Sequence, residues 1–278
     1  MYFEVAREEV NSHTVFLSGI ALLGVTAAAV QQSPRQYYQP HPPSSQVWHP
    51  SGKMLWQWQL TTPVNLSIEA SVYDIDLFEN QASVVAALHA AGRRAICYVD
   101  VGTWEEWRSD ASSFPEPVKG KSNGWPGERW LDIRKIGVLG PILRARLDLC
   151  KAKGFDAMEP DNLDGYVNAT GFPLTYQDQL TFNKWVAGAA HARGLSVGLK
   201  NDLDQIPDLL GSFDWALDEQ CFEYSECDSL TLFIRAGKAV FEVEYNGNTS
   251  DFCSKANALG INSMKKRLRL DAWRKACQ

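Results

Sequence analysis

The sequence predicts an α/β fold made of a single (β/α)₈ barrel over residues 54–278. First, eight short, β-rich apolar runs alternate with helical patterns from residue 54 onwards. Second, these units occupy about 225 residues, the usual length of such a barrel. Third, no G-x-G-x-x-G follows the first run and no phosphate-binding P-loop occurs. Their absence disfavours a doubly wound sheet and predicts a protein without a nucleotide or other cofactor.

Each strand is predicted from an apolar run with polar or glycine residues on both sides. The predicted strands are Trp56–Leu60, Val72–Leu77, Ala95–Val101, Phe155–Glu159, Leu195–Lys200, Phe213–Leu217, Ala239–Glu244 and Ile261–Met264. Several of the helical patterns between them end on a glycine, which closes a helix in the left-handed conformation. These glycines are Gly92, Gly154, Gly194, Gly237 and Gly260. The long segment 103–133 after the third strand is expected to form a lid or a substrate-binding loop.

The first 53 residues are predicted to precede the barrel as two segments. Residues 14–30 are uncharged and apolar, short for a membrane span, and end near three alanines. Residues 1–30 are therefore predicted to be a signal peptide or a signal anchor, although their acidic start is unusual for either. A buried core helix is the alternative. Residues 31–53 are rich in Pro, Gln and Ser, which predicts an extended, solvated linker. The protein is expected to be secreted or anchored at the cell surface, with membrane contact only through such an anchor.

The cysteines and glycosylation motifs agree with export. Six cysteines permit three disulfides in an oxidising compartment. Cys221 and Cys227 can close one local loop, whereas the sequence leaves the other pairing open. Glycosylation motifs occur at Asn65, Asn168 and Asn248, each a glycan site if the chain is secreted.

The composition narrows the range of partners. A net charge of −6 and a pI near 5.4 argue against a nucleic-acid binder. The chain contains ten Trp, nine Tyr and twelve Phe residues, which suit carbohydrate binding or a dense core equally well. We therefore expect a monomer that does not bind nucleic acid.

Carboxylates follow or end six of the predicted strands. In a (β/α)₈ barrel the reactive residues lie at the carboxyl ends of the strands. A single acid there is more often a turn or helix-cap residue. Six such strand ends on one rim favour function, because crowded like charges cost stability. Alternate residues share a face of a strand, so Glu159 and Asp161 form one pair and Glu242 and Glu244 another.

Paired carboxylates on one rim are typical of glycoside hydrolysis, in which one acid protonates the leaving oxygen and the other attacks the sugar or activates water. A metal site lacks support, because His89 and His191 fall in helical patterns and no H-E-x-x-H occurs. A serine hydrolase is disfavoured by the absence of G-x-S-x-G.

Six stretches of the chain resemble glycoside hydrolase family 114. They are WPGERWLDIR (125–134), GFDAMEPDNLDGY (154–166), NATGF (168–172), AHARGLSVGLKND (190–202), DEQCFEY (218–224) and GKAVFEVEY (237–245). The resemblance covers the whole predicted barrel. It implies a (β/α)₈ endo-α-1,4-polygalactosaminidase that acts with retention, with Asp161 as the nucleophile and Glu219 as the acid/base. Asp100 departs from the small residue, such as Ser, that the resemblance leads us to expect there.

The resemblance implies a polymer of galactosamine and N-acetylgalactosamine as substrate. Free amines on such a polymer are cationic, so an acidic rim would attract it. Lys200 would keep a neighbouring carboxylate ionised or balance charge, and aromatic faces at strand ends would stack on sugar rings. The residues expected to contact substrate are Trp58, Asp74, Asp76, Tyr98, Asp100, Glu159, Asn162, Lys200, Asp202, Glu244 and Tyr245.

Two other functions remain open at this point. One is a catalytically weak barrel that binds polysaccharide, which needs aromatic residues but not the carboxylate pair. The other is a glycosidase of the same fold that acts on a different polysaccharide.

Overall fold

A computed structural model describes residues 47–277, and most of this region is a curled parallel sheet surrounded by helices. Its strands are β1 (Trp56–Gln59), β2 (Val72–Asp76), β3 (Arg94–Asp100), β4 (Thr103–Glu105), β5 (Lys119–Ser122), β6 (Glu128–Leu131), β7 (Ala157–Asp161), β8 (Ser196–Lys200), β9 (Trp215–Glu219), β10 (Val240–Glu244), β11 (Asn262–Lys265) and β12 (Lys275–Ala276). The main sheet has the order β1-β2-β3-β7-β8-β9-β10-β11-β12, and its first eight strands are parallel.

The first and eighth strands of the main sheet approach each other, so the sheet curls into the predicted barrel. The Trp56 indole donates a hydrogen bond of 2.8 Å to the Asn262 carbonyl. Just beyond β1, the Leu60 N–H donates to the Leu270 carbonyl at 3.0 Å. Eight parallel strands that alternate with helices in a curled sheet confirm the predicted fold class.

The α-helices are α1 (Ala82–Ala90), α2 (Ile136–Lys153), α3 (Tyr176–His191), α4 (Ile206–Leu209), α5 (Cys221–Tyr224), α6 (Thr231–Arg235) and α7 (Thr249–Leu259). Thr175 begins α3 with a capping box, in which its hydroxyl and Asp178 satisfy each other's backbone N–H groups. The five predicted closing glycines all have positive φ angles, as the sequence predicts. No helix within residues 47–277 is long and apolar enough to cross a membrane.

Strand alternation produces two apolar cores. In β1, Trp56 and Trp58 point into the barrel interior, where they pack with Trp215 and Phe241. Gly198 makes room for this packing, because a Cβ there would lie 2.5 Å from the Trp215 ring. The second core lies between the strands and the surrounding helices. Residues that share the inward face of a strand therefore meet inside the barrel.

Two strand boundaries differ from the prediction in a way that matters for the site. The fourth and sixth barrel strands, β7 and β9, run two residues further than predicted. Asp161 and Glu219 are therefore the last residues of ordered strands rather than loop residues. The segment 103–133 also differs from a simple loop, because β4, β6 and β5 form a small antiparallel sheet.

The described end of the predicted linker contacts the barrel. Pro50 is buried and its carbonyl accepts from the Ala239 N–H, while the Gly52 carbonyl accepts from the Asn262 amide. Residues 50 and 52, which the sequence analysis placed in the linker, therefore contact the barrel. Residues 1–46 lie outside the described region, so the signal segment and the rest of the linker remain predictions.

All six cysteines form disulfides, Cys97–Cys150, Cys221–Cys227 and Cys253–Cys277. The local Cys221–Cys227 loop is the one the sequence predicted. Cys97–Cys150 ties β3 to α2, and Cys253–Cys277 ties α7 to the end of the chain.

Candidate active site

A cleft of about 550 Å³ opens at the carboxyl ends of the barrel strands, and we call it the catalytic cleft. Acidic and aromatic side chains dominate it, together with Arg108, Lys200 and Arg269 as its basic residues. Its acidic residues are Asp76, Glu79, Glu105, Glu128, Asp161, Asp164 and Glu219. Its aromatic residues are Trp58, Tyr98, Trp107, Trp125, Trp130 and Tyr245.

Asp161, at the end of β7, is held by donors on several sides. The Lys200 ammonium donates to Oδ1 at 2.9 Å, and the Tyr98 hydroxyl donates to Oδ2 at 2.9 Å. The Asn162 N–H donates to Oδ1 at 2.9 Å. The carboxylate is thereby fixed in one orientation and keeps one side toward the cleft.

Glu219, at the end of β9, has a similar set of partners. Lys200 Nζ lies 3.1 Å from Oε2, and the Tyr245 hydroxyl donates to Oε1. The Glu219 N–H donates to the Asn201 side chain at 3.1 Å, which fixes the backbone. Asp161 and Glu219 each therefore receive a tyrosine hydroxyl and share one lysine.

Lys200 links the two carboxylates and sets their separation. Its ammonium contacts Asp161 and Glu219, so the contacted oxygens of these residues lie within about 6 Å of each other. It also donates to Glu159 at 3.0 Å and lies 4.7 Å from the centre of the Trp58 ring. Lys200 is 1% exposed, so water screens these contacts little.

The charge balance at Lys200 keeps Asp161 ionised. Burial alone would raise the pKa of Asp161, but the Lys200 charge and the hydrogen bonds from Lys200, Tyr98 and Asn162 lower it below its usual value. Burial alone would lower the pKa of Lys200, and the carboxylates of Asp161, Glu159 and Glu219 raise it instead. The site therefore presents an anionic Asp161 next to a permanent cation.

Left-handed turns follow both carboxylates and aim them into the cleft. Asn162 has φ of +62° and Gln220 has φ of +68°, which is unusual for residues with a side chain. Gly102 packs against the first turn, because a Cβ there would lie 1.8 Å from the Asn162 carbonyl oxygen. Such backbone strain often accompanies functional sites.

A second carboxyl pair lies beneath Lys200. Asp74 and Glu159 are both 0% exposed, and each carboxyl influences the pKa of the other. Burial is the main cause that raises both pKa values, that of Glu159 to about 7. These two groups therefore share protons at neutral pH rather than adding two full negative charges.

The structure brings seven of the eleven predicted substrate-contacting residues to a concave surface. Trp58, Asp76, Tyr98, Asn162, Lys200 and Tyr245 line the catalytic cleft, and Asp202 lines a neighbouring one. Asp76 is already paired there, because both of its oxygens accept from Arg108 at 3.0 and 2.7 Å.

The other four predicted contacts, Asp74, Asp100, Glu159 and Glu244, do not line either cleft. Protein donors hold Asp100, Glu159 and Glu244 instead, whereas both oxygens of Asp74 accept no hydrogen bond from the described residues. Asp100 accepts from the Thr103 hydroxyl and N–H and from the Asn162 amide. Glu244 accepts from the N–H groups of Phe222 and Glu223 at the start of α5. All four are buried. The sequence shows which acids stand at strand ends, but it does not show that neighbouring loops cap Asp100 and Glu244 or that Asp74 and Glu159 lie beneath Lys200.

The sequence analysis missed several cleft residues in the β4–β6 insertion and the last loop. Glu105 and Arg108 form a buried ion pair at 2.7 Å, and Arg269 follows β11. Glu128 lines the cleft beside the noted Trp125 and Trp130. Glu128 lies in the WPGERW stretch, which resembles the family, and this position could have indicated that it belongs to the site. Within residues 47–277 no group of His, Cys, Asp or Glu side chains is arranged to hold a metal ion.

A (β/α)₈ barrel with two carboxylates at its strand ends, whose nearest oxygens lie within about 6 Å of each other in an acidic and aromatic cleft, has the architecture of a glycoside hydrolase. The sequence profile of glycoside-hydrolase family GH114 matches residues 39–278. The chain belongs to this family and is a glycoside hydrolase.

Solved structures agree with this assignment. Ega3 from Aspergillus fumigatus, in a complex with galactosamine, is 37% identical and superposes with a TM-score of 0.80. That match covers 84% of this chain and 98% of Ega3. The glycoside hydrolase domain of PelA from Pseudomonas aeruginosa shares the fold at 12% identity, with a TM-score of 0.63 over 82% of this chain and 99% of that one. The curated proteins contain no significant match.

Proposed function

We propose that this glycoside hydrolase is an exported, endo-acting enzyme that cleaves α-1,4-linked, galactosamine-containing polysaccharide. The observation that carries the proposal is the Asp161–Glu219 pair with its shared lysine and its two tyrosines. The complex of Ega3 with galactosamine supports the sugar. The open cleft, with exposed Trp107 and Trp125, supports binding within a polymer.

In the proposed mechanism Asp161 attacks the anomeric carbon and Glu219 protonates the departing oxygen. The lowered pKa of Asp161 keeps the nucleophile anionic, and the Tyr98 hydrogen bond holds it in place. After the leaving chain departs, Glu219 removes a proton from water, which then hydrolyses the glycosyl-enzyme bond. Oxygens within about 6 Å of each other suit retention, which uses a separation of about 5–5.5 Å, better than inversion.

The cleft charge supports an amino-sugar substrate. Seven acidic residues line the catalytic cleft against three basic ones. Arg108 is already bound by Asp76 and Glu105, and Lys200 by three carboxylates. The remaining negative field favours a chain of galactosaminium residues over a neutral glycan.

The first prediction tests the pair and separates its roles. Asp161→Asn and Glu219→Gln should each lower product release from deacetylated α-1,4-galactosaminan by about 10²–10⁴-fold. An aryl oligogalactosaminide whose leaving group needs no proton should restore glycosyl transfer in Glu219→Gln but not in Asp161→Asn. NMR of the first product should show the α anomer if the reaction proceeds with retention.

The control is Glu69→Gln, an exposed residue on the loop after β1, which should keep wild-type turnover. Unchanged product release in both Asp161→Asn and Glu219→Gln would reject the pair. Tight binding of the polymer by the wild type without any cleavage would favour the polysaccharide-binding alternative. Cleavage of a different polysaccharide in preference to galactosaminan would favour the other alternative, a changed substrate.

A further inference from the structure

A second concavity of about 470 Å³ lies beside Glu219, and we call it the acidic side cleft. It is bounded by residues 164–167 after β7, 201–204 after β8 and 218–226 around the end of β9. It is not lined by Asp161 or Lys200, and it shares six residues with the catalytic cleft: Trp125, Asp164, Asn201, Glu219, Tyr245 and Leu268. The two clefts are therefore continuous, and the side cleft extends from the Glu219 end of the carboxylate pair.

The lining of the side cleft is acidic without a compensating cation. Its six carboxyl residues are Asp164, Asp202, Asp204, Asp218, Glu219 and Glu226, and no Lys or Arg lines it. Of the six, only Glu219 forms an ion pair within the part of the chain described here. Asp204 and Glu226 are exposed at the mouth, and the Asp204 charge helps to raise the pKa of Glu226, after burial.

Two carboxyl groups of this cleft are buried, and each has one oxygen that accepts no hydrogen bond from the described residues. Asp218 is 1% exposed and its Oδ1 accepts no hydrogen bond. Asp202 is 5% exposed, and the Asn183 amide donates to its Oδ2 while its Oδ1 accepts nothing. Burial is the main cause that raises the pKa of Asp202 to about 8. An unpaired buried carboxyl is costly, and a cationic ligand donating to it would offset that cost.

The walls of the side cleft suit a sugar ring. Tyr224, Val167 and Trp125 line it and are 63%, 61% and 51% exposed. Exposed aromatic faces stack on the apolar faces of sugars. The acidic lining and the exposed aromatic walls together fit a ligand that combines a ring with an ammonium group.

We propose that the acidic side cleft binds an unacetylated galactosamine residue on the leaving-group side of the scissile bond. The inference rests on the proposed function, in which Glu219 protonates the leaving oxygen. Because Glu219 lines the side cleft and Asp161 does not, the sugar there belongs to the departing chain. An ammonium group there is attracted by the exposed acids Asp204 and Glu226 and can donate to the free Oδ1 atoms of Asp202 and Asp218. An N-acetyl group is neutral and bulkier, so it lacks this charge attraction. The enzyme therefore selects a free amine at this subsite.

The experiment sequences the products of a partially N-acetylated α-1,4-galactosaminan by mass spectrometry. Residues bound on the leaving-group side become the new non-reducing ends of the products. With the wild-type enzyme these ends should be enriched in free galactosamine several-fold over the average of the polymer. In Asp204→Asn/Glu226→Gln the enrichment should disappear, and KM on the deacetylated polymer should rise about tenfold with little change in kcat.

Asp228→Asn is the matched control, because Asp228 is exposed on the neighbouring turn but does not line the side cleft. It should keep the wild-type enrichment and KM. Ends that match the average composition of the polymer in the wild type, or enrichment unchanged in the double variant, would overturn the proposal.

A binding measurement separates this proposal from the proposed function. Galactosamine trisaccharide should bind Asp161→Asn about tenfold more tightly than it binds the same variant with Asp204→Asn/Glu226→Gln added. If the wild type cleaves no galactosaminan but this difference persists, the proposed function fails and the subsite stands. If cleavage occurs and the affinities are equal, the subsite fails and the proposed function stands.

Discussion

At the scale of single residues, Lys200 balances the negative charge of the buried carboxylates in the site. One ammonium group contacts Glu159, Asp161 and Glu219 at 2.9–3.1 Å, and no other Lys or Arg in the described region contacts these three carboxylates. Breaking a buried ion pair by removing one partner usually costs about 3–5 kcal/mol. The shared proton of Asp74 and Glu159 limits the charge that this one cation must balance. The deeper pair therefore acts as a support for Lys200 rather than as a substrate contact.

This arrangement predicts a pH dependence of stability. Burial raises the pKa values of Asp74 and Glu159, so the folded protein holds protons that the unfolded chain releases above about pH 4. When the native state binds more protons, the free energy of unfolding falls as the pH rises. Asp74→Asn removes one such proton and keeps an uncharged side chain of the same size. We expect the decline between about pH 5 and 7 to become shallower, by at most about 1.4 kcal/mol per pH unit.

Denaturant unfolding at about pH 5, 6 and 7 measures this slope. Asp228→Asn serves as the comparison, because that exposed carboxyl should leave the slope unchanged. A slope for Asp74→Asn that runs parallel to the wild type would mean that Asp74 holds no extra proton in the folded state.

At the scale of elements, we expect one disulfide to affect stability alone and another to affect substrate binding as well. Cys97–Cys150 spans 53 residues and ties β3 to α2, away from both clefts. Cys221–Cys227 spans 6 residues and closes the loop that carries Tyr224 and Glu226. The loop lengths predict losses of about 4 kcal/mol and about 2 kcal/mol when each pair is changed to alanine. Only the second change should raise KM.

Denaturant unfolding measures the loss of stability of each variant. Steady-state kinetics on deacetylated polymer, below the unfolding temperature of both variants, measures KM. The Cys97–Cys150 variant is the control for a general loss of rigidity. Equal effects of the two variants on KM would show that the Cys221–Cys227 loop does not shape the binding surface.

The elements also show how far the sequence could predict this structure. All eight barrel strands overlap the apolar runs that predicted them, although β7 and β9 end two residues later, because buried parallel strands need largely apolar sequence. The β4–β6 sheet was not predicted as strands, because runs such as Lys119–Ser122 are polar and short. Asp161 and Asp100 are both strand-end acids on neighbouring strands, yet one faces the cleft and the other is capped by Thr103. The geometry of the loops that follow determines which of the two acids faces the cleft, and this geometry cannot be predicted from the periodicity of the sequence.

Charge placement matters more than net charge at the scale of the whole molecule. The chain has 27 basic and 33 acidic residues, a small imbalance for its size. The acids that line the two clefts concentrate negative potential on the face where the carboxyl ends of the strands meet. Asp76 and Glu105 in that lining are paired with Arg108, so the active part of the field comes from unpaired residues such as Glu79, Asp204 and Glu226.

Such a field predicts that salt weakens capture of a cationic polymer without slowing the chemical step. Raising the ionic strength from about 0.1 M to about 1 M shortens the screening length from about 10 Å to about 3 Å. KM for deacetylated galactosaminan should therefore rise while kcat stays constant, because the buried contacts of Lys200 with Asp161 and Glu219 are screened little.

Glu79→Gln should reduce the salt dependence, because Glu79 is an exposed acid of the catalytic cleft. Binding of the fully N-acetylated polymer, which is neutral, provides the control and should not change with salt. Equal salt effects on both polymers would mean that the cleft acids do not recognise the amines, and that the negative face serves some purpose other than substrate capture.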